Sequence, residues 1–408
     1  MKKRVVVTGG SCVTPIGNEW EEVEPRLRAM KNGVVLMAEW EKYDRMNTKL
    51  AAPAAFVDPG FSRKQTRGMG RVGLMAVSTA DKALRMAGLI DDPFLRGGRC
   101  GVSFGSSTGS VDALLDFYSM LTDNGMQGIT ATSYIKSMPQ TCAVNIGVFF
   151  GLTGRLITTN TACTAGSLSI GYAFEAIQNG LQDVMVAGGA EELNPTETAV
   201  FDTLYATSTK NDAPELTPAA YDRDRDGLVI GEGAGAIVLE EYEHAKARGA
   251  AIYAELVGFG TNTDGSHITQ PNRATMSGAL RLALESASLS PDAIGYVNGH
   301  GTATQHGDVA ETGATRDVFD RRIPISSLKS YMGHTLGACG AIEAWLTIKM
   351  MASSWIAPNL NLVNVDPACA DLDYIQGTGR SLDVEYAMSN YFAVGGIYIS
   401  LIFRNVGL

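Results

Sequence analysis

The sequence predicts a mixed α/β fold built from two related halves. Short apolar runs that are typical of buried strands alternate with amphipathic stretches that are typical of helices throughout the 408 residues. The composition is 45% hydrophobic and only 19% charged, which excludes a disordered chain and allows a large buried core. Two strand–loop–helix units, at residues 156–180 and 323–352, are alike in outline. They predict a duplication with two units, residues 1–250 and 251–408.

The individual elements follow from hydrophobic periodicity. Residues 73–87 predict an amphipathic helix, because Ala76, Ala80, Leu84 and Ala87 recur at spacings of three and four. Continuous apolar runs predict buried strands at residues 5–8, 101–104, 156–159, 183–187, 235–239, 254–258, 293–298, 323–326 and 399–403. A helix is predicted after each of the strands at 156–159 and 323–326.

The charge balance and the cysteine pattern narrow the classes of function. The chain has 33 Lys and Arg against 43 Asp and Glu, a net charge of −10, which disfavours general binding to nucleic acid or anionic lipid. The apolar segment after the basic start is too short for a signal peptide, and no apolar run reaches the roughly 18 residues that a membrane span needs. Six scattered cysteines without Cys-x-x-Cys spacing are typical of a reduced, cytoplasmic protein.

Cys163 is the strongest candidate for a reactive group. It lies between a predicted strand and a predicted helix among small residues, so little bulk would cover its sulfur. A cysteine in the first turn of a helix experiences unpaired N–H groups and the positive end of the helix dipole, which favour the thiolate. The alternative is a buried cysteine that only fills space, which is the common role of a free cysteine. Local context alone leaves both alternatives open.

Two of the five histidines stand in glycine-rich turns where a ring can face an open site. His300 lies between glycines after the strand predicted at 293–298, and His334 follows Gly333 in the second strand–loop–helix unit. A neutral imidazole there can donate a hydrogen bond to a developing oxyanion, which suits carbonyl chemistry. Residues 222–227 begin like a calcium loop but lack the acidic twelfth position, and the glycines at 231–235 precede a strand. We therefore predict neither a metal nor a dinucleotide.

Taken together and in order, these motifs resemble the elongating β-ketoacyl-acyl-carrier-protein synthases of the thiolase superfamily over essentially the whole chain. The segments that carry the resemblance are RVVVTG at 4–9, VTPIGN at 13–18, TACTAGS at 161–167, ATST at 206–209, YDRDRDGLVIGEGAG at 221–235, GHGTAT at 299–304, DVAE at 308–311, KSYMGH at 329–334 and the glycine pair at 395–396. The resemblance implies a thiolase-like five-layer α/β/α/β/α fold. The first half would carry the nucleophilic cysteine and the second half the two catalytic histidines.

The resemblance also implies a decarboxylative Claisen condensation through an acyl-cysteine intermediate. Cys163 corresponds to the nucleophile that takes an acyl group from a carrier thioester. His300 and His334 correspond to the pair that binds the malonyl thioester carbonyl and promotes loss of carbon dioxide. Lys329 and Glu311 correspond to a supporting ion pair near these histidines.

Substrate and partner contacts are implied in the same way. The oxyanion hole would use the backbone N–H groups of Cys163 and Val394. The predicted substrate-binding residues are Thr108, Tyr134, Ile135, Met138, Thr302, Thr304, Phe392 and Val394, of which the segment 132–140 would cross to a second subunit of a dimer. The basic residues Arg63, Lys64, Arg67 and Arg71 would dock an acidic acyl carrier protein, and the less favoured alternative for this cluster is a solvated helix face. No cofactor is implied beyond the phosphopantetheine on that carrier. Glu343, Ser389 and Asn390 resemble a monovalent-cation site of some relatives.

The departures from the family concern the acyl pocket. Residues 390–398 read NYFAVGGIY, so Val394 stands where many members have a phenylalanine gate, and His306 departs from the usual pattern. We therefore expect a specialised type II pathway, such as aryl polyene or other polyketide assembly, in place of ordinary saturated fatty acid elongation. A non-catalytic subunit of a ketosynthase/chain-length-factor pair and a thioester hydrolase remain as alternatives.

Overall fold

The computed structural model describes residues 2–407. The helices are α1 (Trp20–Arg28), α2 (Arg63–Thr66), α3 (Arg71–Met86), α4 (Leu114–Asp123), α5 (Ala131–Ser137), α6 (Thr141–Phe150), α7 (Ala165–Gln178), α8 (Pro195–Asp202), α9 (Tyr242–Ala247), α10 (Arg273–Ala287), α11 (Gln305–Phe319), α12 (Lys329–Met332) and α13 (Cys339–Ala352). The strands are β1 (Val5–Val13), β2 (Val35–Leu36), β3 (Leu50–Ala52), β4 (Cys100–Gly105), β5 (Leu156–Thr159), β6 (Val184–Glu191), β7 (Ile230–Gly231), β8 (Gly233–Glu241), β9 (Ala254–Thr263), β10 (Ile294–Asn298), β11 (Pro324–Ser326), β12 (Trp355–Ile356), β13 (Asp373–Tyr374), β14 (Arg380–Ser381), β15 (Tyr386–Ala393) and β16 (Ile397–Asn405).

Most of the strands form one sheet in which the same strand order occurs twice. The sheet runs β13-β11-β10-β15-β16-β9-β1-β8-β6-β4-β5. The edge strand β13 apart, the sheet consists of two sets of five strands, one from each half of the chain. Numbered in chain order within its set, each has the spatial order 3-2-4-5-1, with the same alternation of parallel and antiparallel neighbours. The sets meet where β1 pairs antiparallel with β9, with Val5 opposite Leu256.

Helices complete a layered arrangement around this sheet. α3 packs on β1 and β8 and α6 on β4, whereas α10 packs on β9 and β16 and against α11. Between the two sets of strands lie α7 and α13, which contact each other and strands of both halves. Almost every residue of α13 is buried, as expected for a helix that is covered on all sides. The thiolase-like α/β class predicted from the sequence is confirmed.

The predicted elements are close to those observed. The helix predicted at 73–87 is α3, and all nine predicted strands lie on strands of the large sheet. The first of them is longer than predicted, because β1 pairs with β8 along its whole length and with β9 at its start. The proposed boundary near residue 250 falls between α9 and β9, and the division into two units stays a prediction. Within residues 2–407, no helix is both long and apolar enough to span a bilayer.

Candidate active site

One cavity of about 480 Å³ receives the three residues on which the predicted chemistry depends. Its wall includes Cys163, His300 and His334, which come from three different loops of the two halves. The remaining wall is formed by residues from α8 and the segment after it, from residues 268–271, from the start of α11 and from β15 and the turn after it. The sulfur and both imidazoles are almost completely buried at the inner end of this cavity. The predicted convergence of the three side chains is therefore observed.

A strained turn between β5 and α7 presents Cys163. The turn is a short 3-10 segment over residues 162–164, and Ala162 has a φ of 48°, in the left-handed region that residues with a side chain rarely adopt. Behind the turn, Gly166 lies so close to α13 that an added Cβ would be 3.0 Å from the backbone nitrogen of Ala341. Cys163 thus precedes α7 instead of lying in its first turn, which differs from the prediction.

Burial decides the ionisation of the nucleophile when the cavity is empty. It raises the pKa of Cys163 to about 11, although the backbone N–H groups of Val394 and of Cys163 itself favour the thiolate and lower the pKa, as does the charge of Lys329. The predicted activation by a helix N-terminus is therefore outweighed by loss of solvation. The resting group is a thiol next to two backbone donors.

A carboxylate beneath its loop holds His300 in place. Glu311 on α11 accepts hydrogen bonds from the backbone N–H of His300 at 2.5 Å and of Gly301 at 2.7 Å. Burial raises the pKa of Glu311 to about 7. Gly301 has a φ of 36°, and an added Cβ there would lie 2.6 Å from Cβ of Ser327, so the turn requires glycine. The loop is fixed from below while the imidazole faces the cavity.

Backbone hydrogen bonds to the segment before β7 position His334. Its N–H donates to the carbonyl of Val229 at 2.7 Å, and its carbonyl accepts from the N–H of Gly231 at 2.9 Å. The preceding Gly333 has a φ of 68°, and an added Cβ would be 2.8 Å from the oxygen of Val229. The side chain is therefore placed by a turn that only glycine fits without strain.

The two imidazoles are neutral and have free nitrogens. Their ring centroids are 5.2 Å apart and the rings are perpendicular. Burial lowers the pKa of His300 and of His334 well below the usual value, and the charge of Lys329 lowers both further. Among residues 2–407, Nδ1 of His300 and both ring nitrogens of His334 have no hydrogen-bond partner. The pair can therefore donate hydrogen bonds to a substrate oxygen.

The ion pair of Lys329 differs from the prediction. Its Nζ lies 2.6 Å from Oε1 of Glu343 on α13, and Asn298 donates to the other oxygen of Glu343. Burial lowers the pKa of Lys329, but Glu343, with Cys339 and Glu311, more than offsets this and raises it overall. Glu311 instead serves the His300 loop, so the predicted Lys329–Glu311 pair is wrong. Both Glu343 oxygens have protein partners, which does not fit the implied cation site with Ser389 and Asn390.

Four of the predicted substrate-binding residues line the cavity. Thr302 and Thr304 lie together, with their hydroxyl oxygens 2.9 Å apart. Phe392 is buried, with its ring centroid 6.0 Å from that of His300, whereas Val394 is 40% exposed. His306 is exposed on the wall of the same cavity. The cavity therefore has a buried aromatic residue beside the histidine and a small aliphatic residue nearer to solvent.

The other four predicted substrate-binding residues lie outside this wall. Thr108 follows β4 and hydrogen-bonds two buried carboxyl groups, Glu191 and Glu197. Tyr134 and Ile135 lie on α5, where Tyr134 is largely exposed, and Met138 follows that helix and is partly buried. Within one chain, these residues are not brought to the cavity. Their predicted contact with a neighbouring subunit stays a prediction.

Three of the four basic residues predicted to dock a carrier protein are exposed and form no ion pair in the part of the chain that the structure describes. Of these, Arg63 and Lys64 lie on α2 and Arg67 directly after it. Arg71 differs, because its guanidinium is bidentate to Glu232, with distances of 2.5 and 2.8 Å. Arg71 is exposed too but already paired, so the cations left for docking are Arg63, Lys64 and Arg67.

Reasoning from the residues missed a set of buried groups that support the site. Asp308 accepts the backbone N–H of Tyr221 at 2.7 Å and of Ala303 at 3.1 Å, and it lies 3.5 Å from the Arg225 guanidinium. Burial raises the pKa of Asp308 to about 6. Asp308 and Arg225 stood within the motifs at 308–311 and 221–235, which was the signal that could have found them. Glu343 stood outside every motif and was predicted only as part of a cation site.

A buried thiol beside two neutral imidazoles, between the halves of a thiolase-like fold, defines a cysteine-dependent acyl-transferring enzyme. Comparison with known proteins identifies the family within this class. Residues 2–245 match the family model for the beta-ketoacyl synthase N-terminal domain, and residues 253–363 match that for its C-terminal domain. The chain is 37% identical to 3-oxoacyl-[acyl-carrier-protein] synthase 2 of Vibrio harveyi, over 99% of each chain. A crystal structure of a beta-ketoacyl synthase from Burkholderia phymatum is 56% identical with a TM-score of 0.98, covering 99% of this chain and 100% of the other.

A third likeness concerns a complex. The ishigamide ketosynthase/chain length factor has a TM-score of 0.89 at 29% identity, with complete coverage of both chains. The chain belongs to the β-ketoacyl synthase family of condensing acyltransferases. The family, the fold and the enzyme class predicted from the sequence are thereby confirmed.

Proposed function

We propose that this protein is a β-ketoacyl-[acyl-carrier-protein] synthase that joins an acyl group to the two-carbon unit of a malonyl carrier with loss of carbon dioxide. The observation that carries the proposal is the convergence of Cys163, His300 and His334 on one cavity. Each of these side chains is buried, and the imidazoles offer nitrogens without protein partners. The reaction divides into acyl transfer, decarboxylation and condensation, and each step uses a different part of this site.

Acyl transfer uses Cys163. Its sulfur attacks the carbonyl carbon of the acyl carrier thioester, and the carrier sulfur leaves with the proton that Cys163 loses. One thioester replaces another, so the step is nearly balanced in free energy. The tetrahedral oxygen would rest on the N–H groups of Val394 and Cys163, the same two groups that favour the thiolate. The thiol needs this help because burial holds its pKa at about 11.

Decarboxylation uses the two imidazoles. His300 and His334 would donate hydrogen bonds to the thioester carbonyl oxygen of the malonyl group, which becomes an enolate oxygen as carbon dioxide leaves. Neutral donors suit this role, because they stabilise the developing charge without supplying an acidic proton that would quench the carbanion. The low pKa of both rings supports the neutral form. The ammonium of Lys329, held by Glu343, also disfavours protonation of both rings.

Condensation unites the fragments. The enolate carbon attacks the acyl carbonyl on Cys163, and the tetrahedral intermediate collapses with expulsion of the Cys163 thiolate. Holding both fragments in one cavity can lower the barrier by about 7–11 kcal/mol, because the entropy of bringing them together has already been lost on binding. The product is a β-ketoacyl group on the carrier.

Product analysis tests the proposal. Purified protein would be incubated with acyl carrier and malonyl carrier, and the carrier-bound products identified by mass spectrometry. A β-ketoacyl product lengthened by two carbons supports the proposal, and His300→Ala should abolish both this product and the release of carbon dioxide. Free acid formed without the malonyl donor would identify a thioester hydrolase instead. No reaction of any kind would identify a non-catalytic subunit.

The residues of the cavity wall determine which acyl chains the site accepts. Val394, a small β-branched residue, occupies the half-exposed position at the cavity and leaves more room than a phenylalanine would. We therefore propose a role in a specialised type II pathway in which extended, polyunsaturated chains are elongated. Competition between saturated and polyunsaturated acyl carriers of equal length measures this. A strong preference for the saturated chain would contradict it.

The cluster of Arg63, Lys64 and Arg67 would dock the acidic carrier protein. An exposed positive patch on a chain of net charge −10 suits an acidic partner, and its main effect is on the rate of encounter. The double reversal Arg63→Glu with Lys64→Glu should raise KM for the carrier on the order of tenfold while leaving kcat intact. The matched control reverses Lys42 and Arg45, which are also exposed. Equal KM values in both variants would refute the docking site.

A second subunit would cover an apolar face beside the edge of the sheet. β5 is an edge strand with an exposed Leu156, and α6, which packs on it, carries an exposed Val148. α5, which contacts α6, and α4, which contacts α5, add further exposed apolar side chains: Leu115, Tyr118, Leu121 and Tyr134. An edge strand with such a face favours pairing with another chain. We propose that the protein forms a homodimer or a heterodimer with a chain-length factor. We also propose the cytoplasm as its compartment, because all six cysteines are free. Sedimentation of the protein alone as a monomer would exclude the homodimer.

A further inference from the structure

The turn that carries the backbone N–H of Val394 has little conformational restriction of its own. It connects β15 to β16, and after Val394 it consists of Gly395 and Gly396, with φ values of 97° and 73°. Glycine adopts this left-handed region as readily as the ordinary one, so such a turn has many accessible conformations. Among the groups that favour the Cys163 thiolate, the N–H of Val394 has the largest effect. A donor in this turn keeps its direction only if contacts from elsewhere fix the turn.

One loop supplies these contacts. The N–H of Gly395 donates to the carbonyl of Ile268 at 2.7 Å, and the carbonyl of Gly396 accepts the N–H of Asp264 at 2.7 Å. Gly396 also approaches Asp264 so closely that an added Cβ would lie 2.7 Å from the Cβ of Asp264. Both partners belong to the loop 264–272, which connects β9 to α10. The direction of the oxyanion donor therefore depends on this loop.

The hydroxyl group of Tyr398 closes the loop at its base. It accepts the N–H of Asn272 at 3.1 Å and donates to a carboxylate oxygen of Asp264 at 3.2 Å, so it joins the two ends of the loop. The side chain of Asn272 donates to the other carboxylate oxygen of Asp264 at 3.1 Å. Residues 265–270, between these ends, are exposed. The conformation of the loop thus depends on the hydrogen bonds at its base, and most of these involve Tyr398.

Tyr398 is itself held in a fixed position. It lies on β16, which pairs with β15 on one side and with β9 on the other, and it is buried. Its ring meets that of Phe392 edge to face, with the centroids 5.4 Å apart. Burial raises the pKa of Tyr398, and the charge of Asp264 raises it further, so the hydroxyl group keeps the proton that it donates. The loop is therefore tied to a rigid part of the sheet.

We infer that Tyr398 is a positioning residue: by closing the loop it fixes the turn that directs the N–H of Val394 at the sulfur of Cys163. The inference rests on the proposed function, because it concerns the oxyanion hole of the proposed acyl transfer. The hydroxyl group of Tyr398 acts on the reaction only through the backbone of the loop and the turn. Misplacing a catalytic group by about 1 Å can cost on the order of 10²-fold in rate.

Removal of the hydroxyl group tests this role. Tyr398→Phe keeps the ring that packs on Phe392 and loses both hydrogen bonds to the loop. The maximal rate of acyl loading of Cys163 from acyl carrier, followed by intact-protein mass spectrometry, should fall about tenfold or more, because the oxyanion donor is less well placed. KM for the carrier should stay within about twofold of the wild-type value. Release of carbon dioxide from malonyl carrier alone should be unchanged, since it depends on the two histidines.

A matched control removes a hydroxyl group elsewhere. Tyr374 is also buried, and its hydroxyl group donates to the carbonyl of Ala370 at 2.8 Å. Tyr374→Phe therefore loses a comparable hydrogen bond that has no connection with the loop or the turn. It should change neither acyl loading nor the release of carbon dioxide.

A second variant breaks the same link from the side of the loop. Asp264 is only partly buried, so Asp264→Ala disturbs the packed interior less than a change at Tyr398 does. It should slow acyl loading to a similar extent. The double variant with Tyr398→Phe should be no more than about twofold slower than the slower single variant, because both substitutions break one link and their effects do not add.

Alkylation with iodoacetamide measures the reactivity of Cys163 without any carrier. At the same pH, the Tyr398→Phe protein should be alkylated more slowly than the wild type, because a displaced Val394 N–H favours the thiolate less. A loop that served only as a cover of the cavity would have the opposite effect. Its loosening would admit the reagent and speed alkylation.

The outcomes distinguish the inference from the proposed function. Acyl loading as fast as in the wild type, or an equal loss of loading and of carbon dioxide release, would overturn the positioning role of Tyr398. Faster alkylation would overturn it in favour of a simple cover, and additive losses in the double variant would overturn the link through Asp264. Absence of acyl loading in the wild-type protein would overturn the proposed function itself. Alkylation would still decide the role of Tyr398 in that case, because it needs no carrier.

Discussion

The two halves of the molecule contain the same backbone turn and use it differently. α7 and α13 each have 14 residues, and each begins directly after a short 3-10 segment. The segment follows the third strand of its half, β5 or β11, with α12 intervening in the second half. Each segment starts with a left-handed residue, Ala162 with a φ of 48° and Leu336 with a φ of 43°. One position further along, the N-terminal half has Cys163 and the C-terminal half has Gly337. The turn is shared, and the side chain that it presents is not.

Contacts across the interface between the halves explain the glycine. The N–H of Gly337 donates to Oε2 of Glu191, and an added Cβ at Gly337 would lie 2.7 Å from that oxygen and 2.9 Å from the N–H nitrogen of Ser107. A side chain does not fit there. The second turn therefore serves as a backbone donor to the first half, and only the first turn can carry a nucleophile.

A second pair of equivalent loops shows the same division. Two residues beyond the end of β4 stands Ser107, and two residues beyond the end of β10 stands His300. Below each loop a buried glutamate accepts two consecutive backbone N–H groups, Glu191 in the first half and Glu311 in the second. The N-terminal half thus supplies the sulfur and the C-terminal half both imidazoles. Substitutions in the two halves should separate acyl transfer from decarboxylation.

The largest expected effect is that of removing the nucleophile. Cys163→Ala should lower the rate of condensation by more than about 10³-fold, because no acyl intermediate forms. Release of carbon dioxide from the malonyl carrier should continue, since it depends on the other half of the molecule. Radiolabelled malonyl carrier measures both reactions in one assay. Parallel loss of both would show that the halves do not act separately.

Removing either imidazole should impair decarboxylation and leave acyl loading intact. His300→Ala and His334→Ala should each lower decarboxylation by about 10²–10³-fold, the usual effect of removing one donor to an oxyanion. Acyl loading of Cys163 from the acyl carrier should remain within a few-fold of the wild-type rate. Ser107→Ala, at the position equivalent to His300 in the first half, is the control and should leave decarboxylation unchanged. Loss of loading in the histidine variants would contradict the division.

These contrasts show which features a sequence reveals. Cys163, His300 and His334 were predictable because each stands in a short motif whose glycines and small residues form the turn that presents it. Strand and helix positions followed from local periodicity, and α3 and β4 deviate by only a few residues. The five-layer class came from the resemblance that the motifs carry. Local sequence was therefore sufficient to predict the turns, helices and strands, whose conformation is set by residues near in the chain.

Features that depend on distant contacts were not predictable from the residues. The partner of Lys329 is Glu343, on the helix that runs between the two sets of strands, and no local pattern favours it over Glu311. The role of Tyr398 also escaped notice, because it depends on Asp264, 134 positions away along the chain. The ionisation of Cys163 was misjudged for a physical reason: the helix end was visible in the sequence, whereas the burial that outweighs it was not.

A smaller effect is expected from giving the second turn a side chain. Gly337→Ala should destabilise the protein by about 1–3 kcal/mol, because the new methyl group overlaps Glu191 and Ser107 in a packed interior. Gly147→Ala is the control, since that helical glycine has no atom closer than 3.6 Å to an added Cβ, and it should be neutral or slightly stabilising. Urea unfolding measures both. A Gly337→Ala protein as stable as the wild type would show that the two turns are interchangeable.

A pH-dependent effect is expected from the buried carboxyl group under the His300 loop. Burial raises the pKa of Glu311 from 4.5 to about 7, so the folded protein binds this proton more tightly than the unfolded chain does. Stability should therefore fall as pH rises from about 4.5 to about 7, by at most about 1.4 kcal/mol per pH unit, and this contribution should be constant above that range. Glu311→Gln removes the titrating group, and the decline should become shallower, while Asp308 titrates in both proteins. Denaturant unfolding at several pH values compares them, and equal slopes would show that the proton on Glu311 is not linked to folding.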